Sequence, residues 1–436
     1  MRSTFSFLSL LIFMLAAVQI SFATASAESL SRKVLSENAA EATAAIAELR
    51  SLGPAGLQTL RAQYANEINR HIEDPTTAAT PEWERLTTAL DEVAQQKNSY
   101  LSGLYWYTDM QEARSAATQS GKPILSLRLL GKLSEDLSCA NSRFFRTLLY
   151  SNATVSAALR ERFILHWQSV RPAPVITVDF GDGRKLERTI TGNSIHYVLD
   201  SEGRVVDALP GVYGPDAFLR QLSDIEPIAR QVRGKNDFER ERVLREYYRS
   251  RLNKLSLAWL ADTTRIGGKL PEGYTIEKDQ NGEALSIMPL AVTKAVTEST
   301  ILRAMTAGAE ALGRITDEPA WLKIAALHSA EARLDSRSVG LIKHQTPDLS
   351  DKILASLLDK FQQSVALDTV RNEYLMHSKL YSQLLTDRGR SDLDTFNEKV
   401  YAELFMTPRT DPWLGLLVPD TYTAIQNGGV VKETKR

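Results

Sequence analysis

From Leu30 to about Leu101 apolar residues recur every three or four positions, as in Ala39, Ala42, Ala45, Ile46 and Leu49 and again in Leu57, Leu60, Tyr64 and Ile68. That spacing predicts helices. Gly53-Pro54 separates two of them, and the loop from Asp74-Pro75 to Thr80-Pro81 restarts a helix at Glu82-Trp83. His71 beside Arg70 reads as a solvated helix-end residue.

The pattern changes between about Tyr105 and Val232. Thr108-Asp109 caps a helix that ends at Gly121. Pro123 then opens the apolar run Ile124 to Leu130, a strand by length and composition. A helix is expected from about Ser138 to Tyr150, a short one through Val155, Ala158 and Leu159, and a strand over Phe163 to Trp167. Alternation around Asp182-Gly183 predicts a hairpin over Val175–Phe180 and Leu186–Ile190. Ile195–Leu199 and Arg204–Leu209 flank the turn Asp200–Gly203 as a second hairpin, and Pro215-Asp216 starts a closing helix. The strand Ile124–Leu130 is expected at the centre of a mixed sheet, with Phe163–Trp167 beside it.

From Asp237 onward the pattern is again helical. A polar loop is expected from Gly267-Gly268 through Gly282. Helices are expected around Leu302–Ile315, Trp321–Leu334, Ile353–Leu367, Val370–Leu385 and Leu393–Phe405, forming a bundle. Arg240, Arg242, Arg245, Arg249 and Arg251 interleave with Glu239, Glu241 and Glu246, which reads as a solvated face with ion pairs at helical spacing.

Helix, strand, helix, strand, two further strands and a closing helix is the order of the thioredoxin fold. Lys122-Pro123 before an apolar strand, then Cys139, then Val155, Leu159 and Phe163 at four-residue intervals, resembles the exported bacterial thioredoxin-like proteins. The resemblance covers about a quarter of the chain and places Cys139 at the nucleophilic cysteine. It implies an α/β thioredoxin-like central domain with a mixed sheet, flanked by an N-terminal helical segment and a C-terminal all-α bundle. The expected divisions are 1–27, 28–104, 105–232 and 233–436, the first being a leader.

The chain departs from that family at its reactive site. Ser142 occupies the second cysteine position, giving Cys-x-x-Ser; the connection from Pro123 to Cys139 is longer than usual; and Ser194-Ile195 stands where the family has a cis-proline facing the thiol. With one cysteine in 436 residues, dithiol cycling within one chain is excluded.

Two readings of Cys139 follow. As a monothiol at a helix start, favoured by Arg143 and opposed by Glu135 and Asp136, it forms mixed disulfides with a partner protein or small thiol, with Ser142 donating to the thiolate or capping the helix. As a buried small hydrophobe, it leaves a non-catalytic thioredoxin-fold binding or scaffold module. On the first reading the catalytic pair is Cys139 and Ser142, and Cys139 is an exposed helix-start residue that contributes little packing. His166 and His196, on predicted strands, are candidate bases, against the commoner role of packed strand histidines.

Charge and composition narrow the class further. Met1-Arg2, the apolar run Phe5 to Phe22 and Ala25-Ser26-Ala27 read as a secretory leader cleaved before Glu28, which predicts a periplasmic or secreted protein with no membrane span after cleavage. Without Arg2 the balance is 51 basic against 53 acidic residues, a net charge of −2, which argues against nucleic acid as a partner. Glu373 and His377, one turn apart, could share a metal or a proton, but two ligands make no site, and a buried polar network is favoured. No cofactor and no metal is expected.

Overall fold

The computed structural model describes residues 27–189, 192–268, 312, 316–388, 391–414, 417 and 424–430. The expected leader apart from Ala27, most of the loop after Gly267-Gly268 and, apart from Leu312, the expected helix Leu302–Ile315 lie outside these residues.

The N-terminal helices α1 (Ala39–Ser51), α2 (Pro54–Gln63), α3 (Ala65–Glu73) and α4 (Pro81–Ala94) form where the spacing predicts helix, with the run Leu57 to Ile68 divided at Tyr64. Side-chain caps start α1 and α4: Asn38 Oδ1 accepts from the Ala40 and Glu41 amides at 3.0 and 3.3 Å, and Thr80 Oγ1 from Trp83 at 3.1 Å. Each such cap is worth about 1 kcal/mol. Leu49, Leu57, Leu60, Ile68, Trp83, Leu86 and Leu90 make a separate apolar core. His71 departs from expectation. It is 6% exposed and stacks on Trp83 with ring centroids 3.7 Å apart, while Nε2 lies 3.2 Å from Glu67 Oε1. Its helix turns the imidazole toward Trp83 rather than solvent.

The central sheet has five strands in the order β1-β3-β2-β6-β7, with β4 and β5 forming a two-stranded hairpin of their own. The strands are β1 (Trp106–Tyr107), β2 (Ile124–Leu130), β3 (Ile164–Arg171), β4 (Val175–Asp179), β5 (Lys185–Thr189), β6 (Ile195–Leu199) and β7 (Val205–Pro210). β1 and β2 both run parallel to β3, whereas β6 is antiparallel to β2 and β7 to β6. Leu125 pairs with Leu165 on one side and Val198 on the other. Every residue of β2 is buried, as an unbroken apolar run in a covered central strand requires. β1, only two residues long, carried no readable period.

Around the sheet lie α5 (Met110–Ser120), α6 (Ala140–Phe144) with a π turn through Phe145–Tyr150, α7 (Ala153–Arg162) and α8 (Pro215–Val232). Asp109 caps α5 at 2.7 and 2.9 Å from the Gln111 and Glu112 amides, and Gly121 ends it at φ +72°.

The C-terminal helices are α9 (Asp237–Arg265), α10 (Glu318–Leu327), α11 (Ser336–Gln345), α12 (Asp351–Arg371), α13 (His377–Asp387) and α14 (Leu393–Glu403). α12 passes into α13 through a π turn at Asn372–Met376, so the break expected between two helices is absent. The expected helix Trp321–Leu334 ends early, at Leu327, and α11 was not anticipated. Sheet and bundle share one continuous apolar core. At Gly214 a Cβ would lie 2.3 Å from the Glu331 carbonyl oxygen, so only glycine permits that approach.

The arginine stripe on α9 is also only partly solvated. Arg242 and Arg249 are exposed and Arg245 pairs with Glu241, but Arg240 and Arg251 are buried. Arg240 Nη2 donates to the Val205 carbonyl at 2.6 Å, and Arg251 Nη1 to Asp224 at 2.5 Å. Helical spacing turns two of the five arginines inward, where acceptors on β7 and α8 receive them.

Candidate functional site

Cys139 lies where β2 ends. Its amide donates to the Leu130 carbonyl at 3.1 Å, and it caps α6 with φ −57° and ψ 156°. Its Sγ has no exposed surface and sits 3.0 Å from Ser194 Oγ. Ser194, just before β6, therefore faces the thiol; no cis peptide occurs among the described residues.

The C-terminal segment is bonded to the residue before Ser194. The Tyr401 hydroxyl on α14 donates to the Asn193 carbonyl at 3.0 Å, and Asn193 Nδ2 donates to Thr407 Oγ1 at 3.1 Å. These bonds clamp the bundle over the residue preceding Ser194. An exposed helix-start thiol with little packing is thereby corrected: Cys139 belongs to the main core.

Ser142 does not bond to the thiol. Its hydroxyl donates to the Cys139 carbonyl at 2.8 Å and lies 2.6 Å from Ser138 Oγ. Arg143 turns away to Thr189 Oγ1 at 2.9 Å, Glu135 pairs with Lys132 at 2.9 Å, and exposed Asp136 lies 3.6 Å from Lys97. Thus the charged residues near Cys139 in sequence are engaged elsewhere.

Neither candidate base reaches Cys139. His166 Nδ1 lies 2.8 Å from Ser126 Oγ, and His196 Nε2 lies 2.7 Å from the Tyr150 hydroxyl. Burial lowers both imidazoles to about 3, with the positive charge of Arg128 adding to the effect at His166. Both are neutral at ordinary pH, each bonded to a hydroxyl rather than to the thiol. A base must be within hydrogen-bond reach of the proton it removes.

Glu373 and His377 do not share a ligand. Glu373 accepts from Arg220 at 3.0 and 3.1 Å, whereas His377 points to Asp207. Arg220 engages the carboxylate and Asp207 the imidazole. No group of three metal-ligating side chains occurs among the described residues.

The polar cluster that sequence reasoning missed centres on Asp207 of β7. Its Oδ2 accepts from the Tyr247 and Tyr381 hydroxyls at 2.5 and 3.0 Å; its Oδ1 accepts from the Ala208 amide at 2.7 Å and lies 3.3 Å from His377 Nε2. Arg251 Nε donates to the Tyr381 hydroxyl at 3.1 Å. Asp207 and His377 have no exposed surface, so the cluster ties β7 to α9 and α13 without access for a substrate. The available signal was a lone acid inside the apolar strand Val205-Val206-Asp207-Ala208-Leu209.

Among the described residues no helix is long and apolar enough to cross a membrane. Compared with protein-family models, curated proteins and solved structures, the chain matches none at a significant level.

Proposed function

We propose that this protein is an exported binding module that uses a thioredoxin-like sheet as a scaffold and carries out no thiol chemistry. The observation that carries the reading is the complete burial of Cys139 against Ser194, beneath the clamp made by Tyr401 and Asn193. A thiol exchanges disulfides only when its thiolate can reach a partner sulfur. The absence of a second cysteine and the engagement of both histidines with hydroxyls point the same way.

Support for the thioredoxin-like scaffold comes from the strand order, from three parallel strands followed by two antiparallel ones, and from Ser194 opposite Cys139. Support for binding comes from the β4–β5 hairpin, where Ile176, Val178 and Leu186 share one face and, with Phe180, are 40–56% exposed. A cluster of apolar side chains held in water is a common mark of an interaction surface. Export rests on the leader at 1–27 and predicts a mature protein, periplasmic or secreted, that begins at or near Glu28, as mass analysis of exported protein would register.

Incubation of the folded protein with oxidised glutathione tests the central point. The account predicts no glutathione adduct on Cys139 under native conditions and one after unfolding. Rapid formation of the mixed disulfide in the folded state would instead establish the monothiol activity.

A further inference from the structure

Opposite the Cys139 end of the sheet, where β2 and β3 begin, a cleft of about 580 Å³ opens between the N-terminal helices and the sheet edge. This is within the range of small-ligand pockets. Arg61, Lys122, Arg160 and Arg337 line it, and no carboxylate does. None of these four cations forms an ion pair among the described residues, whereas Arg240, Arg251 and Arg162 each have an acidic partner. Leu57, Leu101 and Phe163 supply an apolar wall.

The guanidinium groups are held in place by backbone carbonyls. Arg61 Nη1 donates to the Ser99 and Tyr100 carbonyls at 3.1 and 2.8 Å, Arg337 Nη1 to Leu101 at 3.3 Å, and Arg160 Nη1 to Ser102. Lys122 Nζ donates to the Arg160 carbonyl at 3.2 Å. One nitrogen of each guanidinium is used in this way. The remaining nitrogens of Arg61 and Arg337 have no partner among the described residues and are not sealed from solvent. Gly103 leaves room for the cluster, since a Cβ there would lie 2.8 Å from Arg61 Nε. Arg61 is lowered to about 10 by burial and then by the charges of Arg160 and Arg337, as expected for cations gathered without a counter-charge.

We infer that this cleft binds a small organic anion, its carboxylate or phosphate group held by the four cations and its apolar body laid against Leu57, Leu101 and Phe163. Guanidinium donors in a fork match both oxyanions, and a bound anion relieves the repulsion among the cations. The inference deepens the binding reading by naming a ligand class.

Titration calorimetry on the full-length mature protein tests it with four probes: decanoate, phenyl phosphate, inorganic phosphate and decyltrimethylammonium. Decanoate or phenyl phosphate should bind once per chain, at least tenfold more tightly than inorganic phosphate, and decyltrimethylammonium should not bind. Whichever anion binds identifies the headgroup. Lys122→Gln, which gives up only one exposed bond to a carbonyl, and Arg160→Gln should each weaken that binding about tenfold while the protein stays folded by circular dichroism. Failure of both organic anions to bind, unchanged affinity in Lys122→Gln, or equal binding of the cationic surfactant would overturn the inference. A thiol that reacts in the folded state while anion binding persists would remove only the thiol-free reading; a silent thiol without anion binding would remove only this one.

Discussion

Where β2 ends, Cys139, Ser194, Ser138 and Ser142 engage one another or the nearby backbone and none has exposed surface; where β2 begins, four cations face an open cleft with no carboxylate among them. The first arrangement has a residue type associated with reactivity and no access. The second has access and charge without compensation, though its residues are ordinary surface types. Reactive chemistry is therefore a poor guide here, and the balance between polar groups and their partners is a better one. The Asp207 cluster extends the contrast, since its carboxylate is satisfied from four directions and sealed.

If the sealed clusters hold the fold together, the largest effect should come from Asp207→Ala, which leaves the Tyr247 and Tyr381 hydroxyls and His377 without their acceptor in the core. A loss of about 3–5 kcal/mol in urea unfolding is expected. A loss below about 1 kcal/mol would mean that water or another group replaces the carboxylate.

A counter-charged site should show the opposite pH behaviour from the cleft. His328 lies 2.7 Å from Asp262 and 3.1 Å from Glu331, and hydrogen bonds to these two carboxylates raise it from 6.5 to about 9. A raised folded-state pKa stabilises the protein fully below pH 6.5, and the contribution disappears as pH climbs to about 9. Up to about 3 kcal/mol should be lost across that window in wild type and not in His328→Gln, as thermal melts at several pH values would record.

Cys139→Ala should cost about 1–2 kcal/mol, because it removes the sulfur from a closed site and leaves Ser194 without that contact. No measurable change in melting temperature would place the thiol at the surface after all. The smallest effect belongs to the hairpin: Ile176→Thr with Phe180→Ser should change stability by less than about 0.5 kcal/mol. A larger loss would show that the hairpin packs on the core.

The strands Ile124–Leu130 and Ile195–Leu199 were legible because an unbroken apolar run, and apolar segments flanking the turn Asp200–Gly203, have few other interpretations. The cap at Asp109 was equally local. What could not be read were arrangements made by distant parts of the chain. Arg61, Lys122, Arg160 and Arg337 are spread over 276 positions, from 61 to 337, and nothing in their local patterns distinguishes them from solvated cations. Asn193, beside the Ser194 that faces Cys139, is bonded to Tyr401 and Thr407, more than 200 residues away. His71 looked solvated because its stacking partner, Trp83, lies across a loop. Arg240 and Arg251 looked solvated because their acceptors belong to other elements.

The most direct test of the account is the rate at which N-ethylmaleimide labels Cys139 in native buffer compared with the unfolded chain in urea. A sealed thiol reacts only during opening, so native labelling should be at least about a thousandfold slower and should rise with denaturant as stability falls. A native rate within about tenfold of the unfolded one would contradict the account, because the thiol would then be open to the partners that burial is said to exclude.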